Sequence, residues 1–148
     1  MAEQILFWST GPEEFRFLSN FHPCRIVGPD GTWWKSAEHY FFALAAANPE
    51  DSEKIAEMWH PAEVKKFSRT MKKTDDWHQR KDSAMLDVTR LKYEPESELA
   101  QMLLMTDGFD LIHFAPWGDV YWGVGKDMKG ENRQGKILMQ VREELKQR

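Results

Sequence analysis

Apolar residues recur along the chain with two different spacings, and these divide it into short strands and longer helices. Ile5-Leu6-Phe7-Trp8 reads as a strand stopped by Ser9-Thr10-Gly11-Pro12. Phe15 to Phe21 is apolar but broken by Ser19-Asn20, which predicts a strand or a packed loop. Cys24-Arg25-Ile26-Val27 and Thr32-Trp33-Trp34 flank Gly28-Pro29-Asp30-Gly31, the signature of a hairpin. Leu111-Ile112-His113-Phe114 and Val120-Tyr121-Trp122 read as two further short strands.

Helical spacing accounts for most of the rest. Ser36 can cap a helix from Ala37 to about Ala47 that ends near Asn48-Pro49, with Ala37, Phe41, Leu44 and Ala45 on its apolar side. Short helices are predicted over 52–59 and 62–67. Thr74 is placed to cap a long helix with Asp75 and Asp76 in its first turn, where carboxylates suit the helix dipole. Pro95 can open a helix through Leu104, because proline is tolerated at a first helical position. The last helix runs from about Arg133 to Leu145 and buries Ile137, Leu138, Val141 and Leu145. The pattern predicts a helix-rich α+β fold, one compact domain over 1–148, with no βαβ series.

The long helix carries the first chemical candidate. Trp77, Lys81, Met85, Val88 and Lys92 fall on one face at 100° per residue, with Ala84 and Leu91 beside them. Lys92 therefore starts inside an apolar stripe, either snorkelling from the helix end or held in a pocket. In a pocket, desolvation lowers a lysine's pKa and makes it a nucleophile toward a carbonyl or sugar C1. Glu38 and His39 open the earlier helix. The dipole explains a glutamate there, and general acid–base work on a leaving nitrogen is the other reading. His39, followed by aromatics, reads as a satisfied buried histidine.

Composition narrows the class. Of 148 residues, 41% are hydrophobic and 30% charged, a globular balance. No stretch approaches the roughly 20 apolar residues of a membrane span. Met1-Ala2-Glu3-Gln4 lacks the basic and apolar regions of a signal peptide, and the one cysteine, Cys24, suits a reducing compartment. A cytoplasmic protein without a membrane partner is expected. The net charge of -4 argues against a dedicated nucleic-acid binder, so Lys65-Lys66, Arg69 and Lys72-Lys73 read as a solvated surface. His22 and Cys24 are neighbours, but His39, His60, His78 and His113 are scattered and no metal-ligand spacing exists. Neither a metal nor a cofactor is expected, and Cys24 reads as a packed residue.

Seven tryptophans and a cluster of glycines change the picture near the carboxy end. Trp117 to Gly135 is expected to form a glycine- and tryptophan-rich site for a small polar ligand. Gly130-Glu131-Asn132-Arg133-Gln134-Gly135-Lys136 matches seven positions of a phosphate loop, but Ile137 stands where a magnesium-binding hydroxyl belongs. The triphosphatase reading fails. Backbone amides and a helix start still suit an anion, and a loop that merely caps the helix is the alternative.

These features occur in an order that resembles the NADAR (YbiA-like) family. The resemblance rests on Phe17-x-Ser19-Asn20-Phe21, on Trp34-x-Ser36-x-Glu38-His39-Tyr40-Phe41-x-Ala43 and on Trp77 with Met85 and Lys92-Tyr93. It continues in Trp122-Gly123-x-Gly125 and in Gly130-x-Asn132-x-x-Gly135-x-x-Leu138-Met139-x-x-Arg142, and spans Phe17 to Leu145. It implies a small helix-rich α+β domain with N-glycosidase activity. The substrates it implies are nucleotide-derived: ribosylamino-pyrimidine intermediates of riboflavin synthesis, or ADP-ribosylated guanine in nucleic acid.

Under this resemblance Lys92 takes the place of the family's helix lysine and would form a Schiff base with C1 of an opened ribose. Glu38 would shuttle the proton as the ring opens and the base departs. Asp119 would hold ribose hydroxyls or orient water. Asn132, with Gly123 and Gly135, would hold phosphate or ribose, and Trp77 or Trp122 would stack on the base. Asn20, Phe21, His39 and Lys81 complete the expected substrate contacts. Phe42, Ala45 and His113 replace residues that are usually glutamine, lysine and glutamate in the family, and the family's Gly-Arg falls near Lys66-Phe67, with Arg69 close by. A non-catalytic module binding ADP-ribose is the alternative reading, and a protein-interaction domain a third. The sequence carries no signal for an oligomeric state.

Overall fold

A computed structural model describes residues 2–148, so Met1 of the amino-terminal reading lies outside the described residues. In chain order it contains strand β1 (Gln4–Phe7), a 3-10 helix (Glu13–Leu18), strands β2 (Ile26–Val27) and β3 (Trp33–Trp34), and helices α1 (Ala37–Ala45), α2 (Pro49–Glu57), α3 (Pro61–Ser68) and α4 (Trp77–Lys92). Helix α5 (Glu98–Leu104), strand β4 (Asp110–His113) and helix α6 (Arg133–Lys146) follow. This is a helix-rich α+β fold. Among the described residues no helix is long and apolar enough to cross a membrane.

The chain divides into two units, Asn20–Lys92 and the pair of segments Met1–Ser19 and Tyr93–Arg148. In the Asn20–Lys92 unit, α1 packs against α2, α3 and α4, and the hairpin of β2 and β3 lies against α4 and α1. Its register, Ile26 opposite Trp34, follows from a turn closed by Gly28 N–H to Thr32 O at 2.8 Å. Ala37, Phe41, Ala45, Ile55, Val64, Met85 and Val88 form its core. In the other unit, β1 and β4 pair in parallel with Ile5 opposite Leu111, and α6 covers β4 while α5 packs on α6. Phe7, Leu103, Leu111, Leu138 and Val141 fill that core, whereas Ile137, expected to be buried, is half-buried.

Several expected boundaries move for identifiable reasons. The 15–21 segment is a 3-10 helix over Glu13–Leu18, not a strand, with only Phe17 and Leu18 buried. Pro49 starts α2 where a stop was expected, since the N–H it lacks is one a first turn leaves unpaired anyway. Helix α1 ends at Ala45 because Ala46 turns away to bridge Lys73. Helix α4 begins only at Trp77. Thr74 lies outside it, and its hydroxyl accepts from Arg80 Nη2 at 2.8 Å. Pro95 does not open α5; Ser97 caps it, its hydroxyl accepting from Ala100 N–H at 3.1 Å. The Val120-Tyr121-Trp122 strand is absent, and this segment belongs to the loop between β4 and α6 considered below.

Candidate active site

The apolar stripe of α4 carries Lys92 into the Asn20–Lys92 unit. Trp77, Met85, Val88 and Lys92 are all buried on it, and Lys81 is half-buried. Lys92 keeps 5% of its surface exposed. Burial pushes its amine down from the ordinary 10.5 to about 8, with the Cys24 thiol opposing. The pocket reading of Lys92 is therefore the one the structure supports, not snorkelling.

The segment that follows Ser19 lies along α4 and joins it to α1. Asn20 points its side-chain amide nitrogen at Met85 Sδ, 3.6 Å away, and its backbone carbonyl accepts from Glu38 N–H at 3.0 Å. Glu38 is buried in the first turn of α1. Phe21 is half-buried beneath the Lys65 ammonium, 6.0 Å from its ring. His22 and Cys24 come next. Burial, and then the charge of Lys92, hold the His22 imidazole below its ordinary value, while burial raises the Cys24 thiol. In the sequence these two residues looked like a stray metal donor and a packed thiol. Nothing in their spacing pointed to Lys92.

His39 and Trp77, expected as substrate contacts, have framework positions. His39 is fully buried, with Nε2 2.9 Å from Met58 O and Nδ1 2.7 Å from Ser36 Oγ. A carbonyl can only accept, so Nε2 carries the proton and Nδ1 accepts from the serine hydroxyl. Ser36 Oγ in turn caps α1 by accepting from His39 N–H at 3.2 Å. Ser36→Ala should lower unfolding free energy by about 2 kcal/mol, because it removes a cap and strands a buried ring nitrogen. A denaturant midpoint that falls at constant m would show it. Trp77 packs at 5.0 Å from the Phe41 ring, with the Arg80 guanidinium 5.1 Å from its own. Ala45 is fully buried and Phe42 packs edge-on against Phe41, so both departures from the family pattern are packing residues here.

The Trp117–Gly135 loop belongs to the other unit. Asp119 Oδ1 accepts from the Tyr121 and Trp122 amides at 3.1 and 2.9 Å, bending the segment that resembled a strand. The bend turns its carbonyls toward the start of α6. Val120 O accepts from Glu131, Tyr121 O from Arg133, Trp122 O from Gln134 and Gly123 O from Asn132, at 2.8 to 3.2 Å. The first amides of α6 are thus engaged by loop carbonyls instead of lying open to an anion. Trp122 is half-buried, edge-on to Tyr121.

Asn132 caps α6 in the left-handed region, at φ 52°, and its side chain spans the end of β4. Its Oδ1 accepts from His113 N–H at 2.8 Å and its Nδ2 donates to Leu111 O at 2.9 Å. Gly135 lies so close to the Leu111 carbonyl that a β-carbon would overlap it, and a β-carbon on Gly123 would stand 2.7 Å from His113 O. These three residues weld the loop, β4 and α6 together. Their role in the structure is architectural.

A family model for the NADAR domain matches residues 6–146. The chain belongs to the NADAR family. It is 34% identical over 143 residues to a Shigella flexneri protein named N-glycosidase YbiA, covering 95% of this chain and 88% of that one. It is also 34% identical over 149 residues to a Vibrio vulnificus protein named for riboflavin biosynthesis, of whose length it spans 40%. The NMR structure of Escherichia coli YbiA superposes with a TM-score of 0.86 at 32% identity, over 99% of this chain and 87% of that one. The NADAR assignment agrees with the order of motifs from Phe17 to Arg142.

Proposed function

We propose that this NADAR chain is an N-glycosidase that hydrolyses a ribosyl C–N bond in a nucleotide-derived substrate, with Lys92 as nucleophile and Glu38 as proton shuttle. One observation carries the reading: a lysine buried at the end of α4 with its amine lowered to about 8. At pH 7 roughly one amine in ten is then unprotonated, against roughly one in three thousand for an exposed lysine. That is enough free amine for covalent catalysis. Relatives named N-glycosidase that cover nearly all of this chain support the reaction class.

The steps balance as follows. Glu38 gives a proton to the ring oxygen as the ribose opens, leaving C1 doubly bonded to the base nitrogen. The Lys92 amine adds to C1, its excess proton passes through the Glu38 carboxylate to the base nitrogen, and the base leaves, so that C1 is held by Lys92 as a protonated Schiff base. Water adds to C1, giving one proton back to Glu38 and the other to the lysine nitrogen as the C1–lysine bond breaks, and the free sugar, free amine and protonated Glu38 are restored. We assign Asp119 the shaping of the 119–123 loop through its two backbone bonds. The names of riboflavin-biosynthesis relatives favour a ribosylamino-pyrimidine over ADP-ribosylated guanine as substrate.

Incubation with each of these two substrates, following free base, tests the proposal. Release from one is expected, and Glu38→Gln should slow it about a hundredfold or more by removing the proton donor. Thermal stabilisation by ADP-ribose with release from neither substrate would replace catalysis with binding.

A further inference from the structure

Pro49, Ser52, Glu53 and Ala56 recur at the spacing of helical turns and share one face of α2. Apart from Glu53 their side chains are short, and the face does not close against the hairpin. A cleft of about 460 Å³ lies between it, Thr32 and Trp34 of the hairpin, and Ala46-Ala47 just after α1. Trp34 is the most buried of these residues and stacks on Tyr40, with ring centroids 5.7 Å apart. At 100° per residue Tyr40 lies about 200° around α1 from Glu38, so this stack is on the far side of α1 from the proposed proton shuttle.

The polar atoms of the cleft are unevenly matched. The Ser52 hydroxyl donates to Ala43 O at 3.1 Å and the Thr32 hydroxyl to Asp30 Oδ2 at 3.2 Å, so both present only lone pairs. The Ala46 and Ala47 amides are committed to Phe42 O and Lys72 O. Glu53, exposed at the rim, adds a carboxylate. Against these acceptors stands one side-chain donor, the Trp34 indole N–H, which is buried without an acceptor among the described residues. A buried donor in that state costs free energy that an arriving acceptor recovers.

We propose that this cleft binds a small organic ammonium ion that carries a carbonyl group. The carbonyl accepts from Trp34 Nε1, the ammonium donates to the Glu53 carboxylate and to the Ser52 or Thr32 oxygen, and the apolar body rests on Ala46, Pro49 and Ala56. The donors of such a ligand answer the excess of acceptors, and its one acceptor answers the orphaned indole. The site does not depend on the reading of Lys92 as nucleophile.

Indole N–H NMR tests it, with para-aminomethylbenzamide as the probe. The seven tryptophans give separate crosspeaks, and Trp34 is assigned by its contact with the Tyr40 ring. Its crosspeak should move downfield and saturate in the millimolar range expected of so small a ligand. Benzylamine, without the carbonyl, should bind without the downfield shift. Glu53→Gln should weaken the probe about fivefold and leave neutral benzamide unchanged. Ala56→Leu, which fills the cleft, should abolish the shift. Equal affinity for the probe in Glu53→Gln overturns the ammonium class of ligand. Failure of the Trp34 crosspeak to shift and saturate in the wild type, or a shift that survives Ala56→Leu, overturns the site.

Discussion

Lys92→Met is expected to abolish base release, by about a thousandfold or more, and at the same time to make the protein more stable at pH 7. The first half follows from removing the only atom that joins enzyme to sugar in the proposed reaction; deleting a covalent nucleophile leaves only binding and residual electrostatics. The second half follows from burial. Folding drops the lysine's pKa from 10.5 to about 8, which at 1.36 kcal/mol per pH unit is about 3 kcal/mol against the charged folded state. Below pH 8 the amine is protonated in both states and the whole penalty is present. Between pH 8 and about 10.5 the unfolded chain still holds the proton while the folded chain has lost it, so stability rises with pH in this window. Denaturant unfolding from pH 7 to 10.5 should show that rise in the wild type and lack it in Lys92→Met. Methionine fills a similar volume without a charge, so the variant should gain up to about 3 kcal/mol at pH 7. A variant that keeps turnover within tenfold of wild type would remove Lys92 from the chemistry. Function would then have to lie in binding.

The position of Lys92 was legible because a 16-residue helix repeats its face often enough for one charged residue in the stripe to stand out. The α1 cap was legible for a similar local reason: Ser36 precedes the apolar spacing directly, and its hydroxyl reaches only three residues ahead. Long-range pairings left no such mark. Ile5 pairs with Leu111, and no local spacing records a partner so far along the chain. Val120-Tyr121-Trp122 has the composition of a strand, yet one carboxylate oxygen of Asp119 takes two of its amides and bends it out of any ladder. The same competition explains the phosphate-loop resemblance. Glycines at 130 and 135 suggested backbone open to an anion, whereas at Gly135 the missing β-carbon makes room for the Leu111 carbonyl. The approach of the segment after Ser19 to α4 was not legible either, because it is made by Asn20 meeting Met85, a contact between residues 65 apart.

Asn132 is where this distinction between ligand and framework has its largest measurable consequence. Asn132→Ala should lower unfolding free energy by about 4 kcal/mol. Two backbone groups of β4, His113 N–H and Leu111 C=O, would each lose a partner, at about 1 to 1.5 kcal/mol apiece. The left-handed backbone at φ 52°, which asparagine tolerates, would add about 1 kcal/mol with alanine, and the emptied side-chain volume accounts for the rest. The orientation of the amide is set by its partners: only the oxygen can accept from His113 N–H and only the nitrogen can donate to Leu111 O. Asn132→Gly separates the contributions. It loses the same two hydrogen bonds but relaxes the backbone, so it should be more stable than the alanine variant by about 1 kcal/mol. Asn132→Asp keeps the acceptor and loses the donor, and sets a carboxylate against the Leu111 carbonyl, so its stability should fall below wild type as well. A substrate-binding asparagine predicts the opposite pattern, with unfolding midpoints near wild type and a raised KM. Equal midpoints for the wild type, Asn132→Ala and Asn132→Gly would therefore return Asn132 to the ligand; a loss ordered alanine above glycine ties it to β4 and leaves Lys92 and Glu38 as the groups proposed to react.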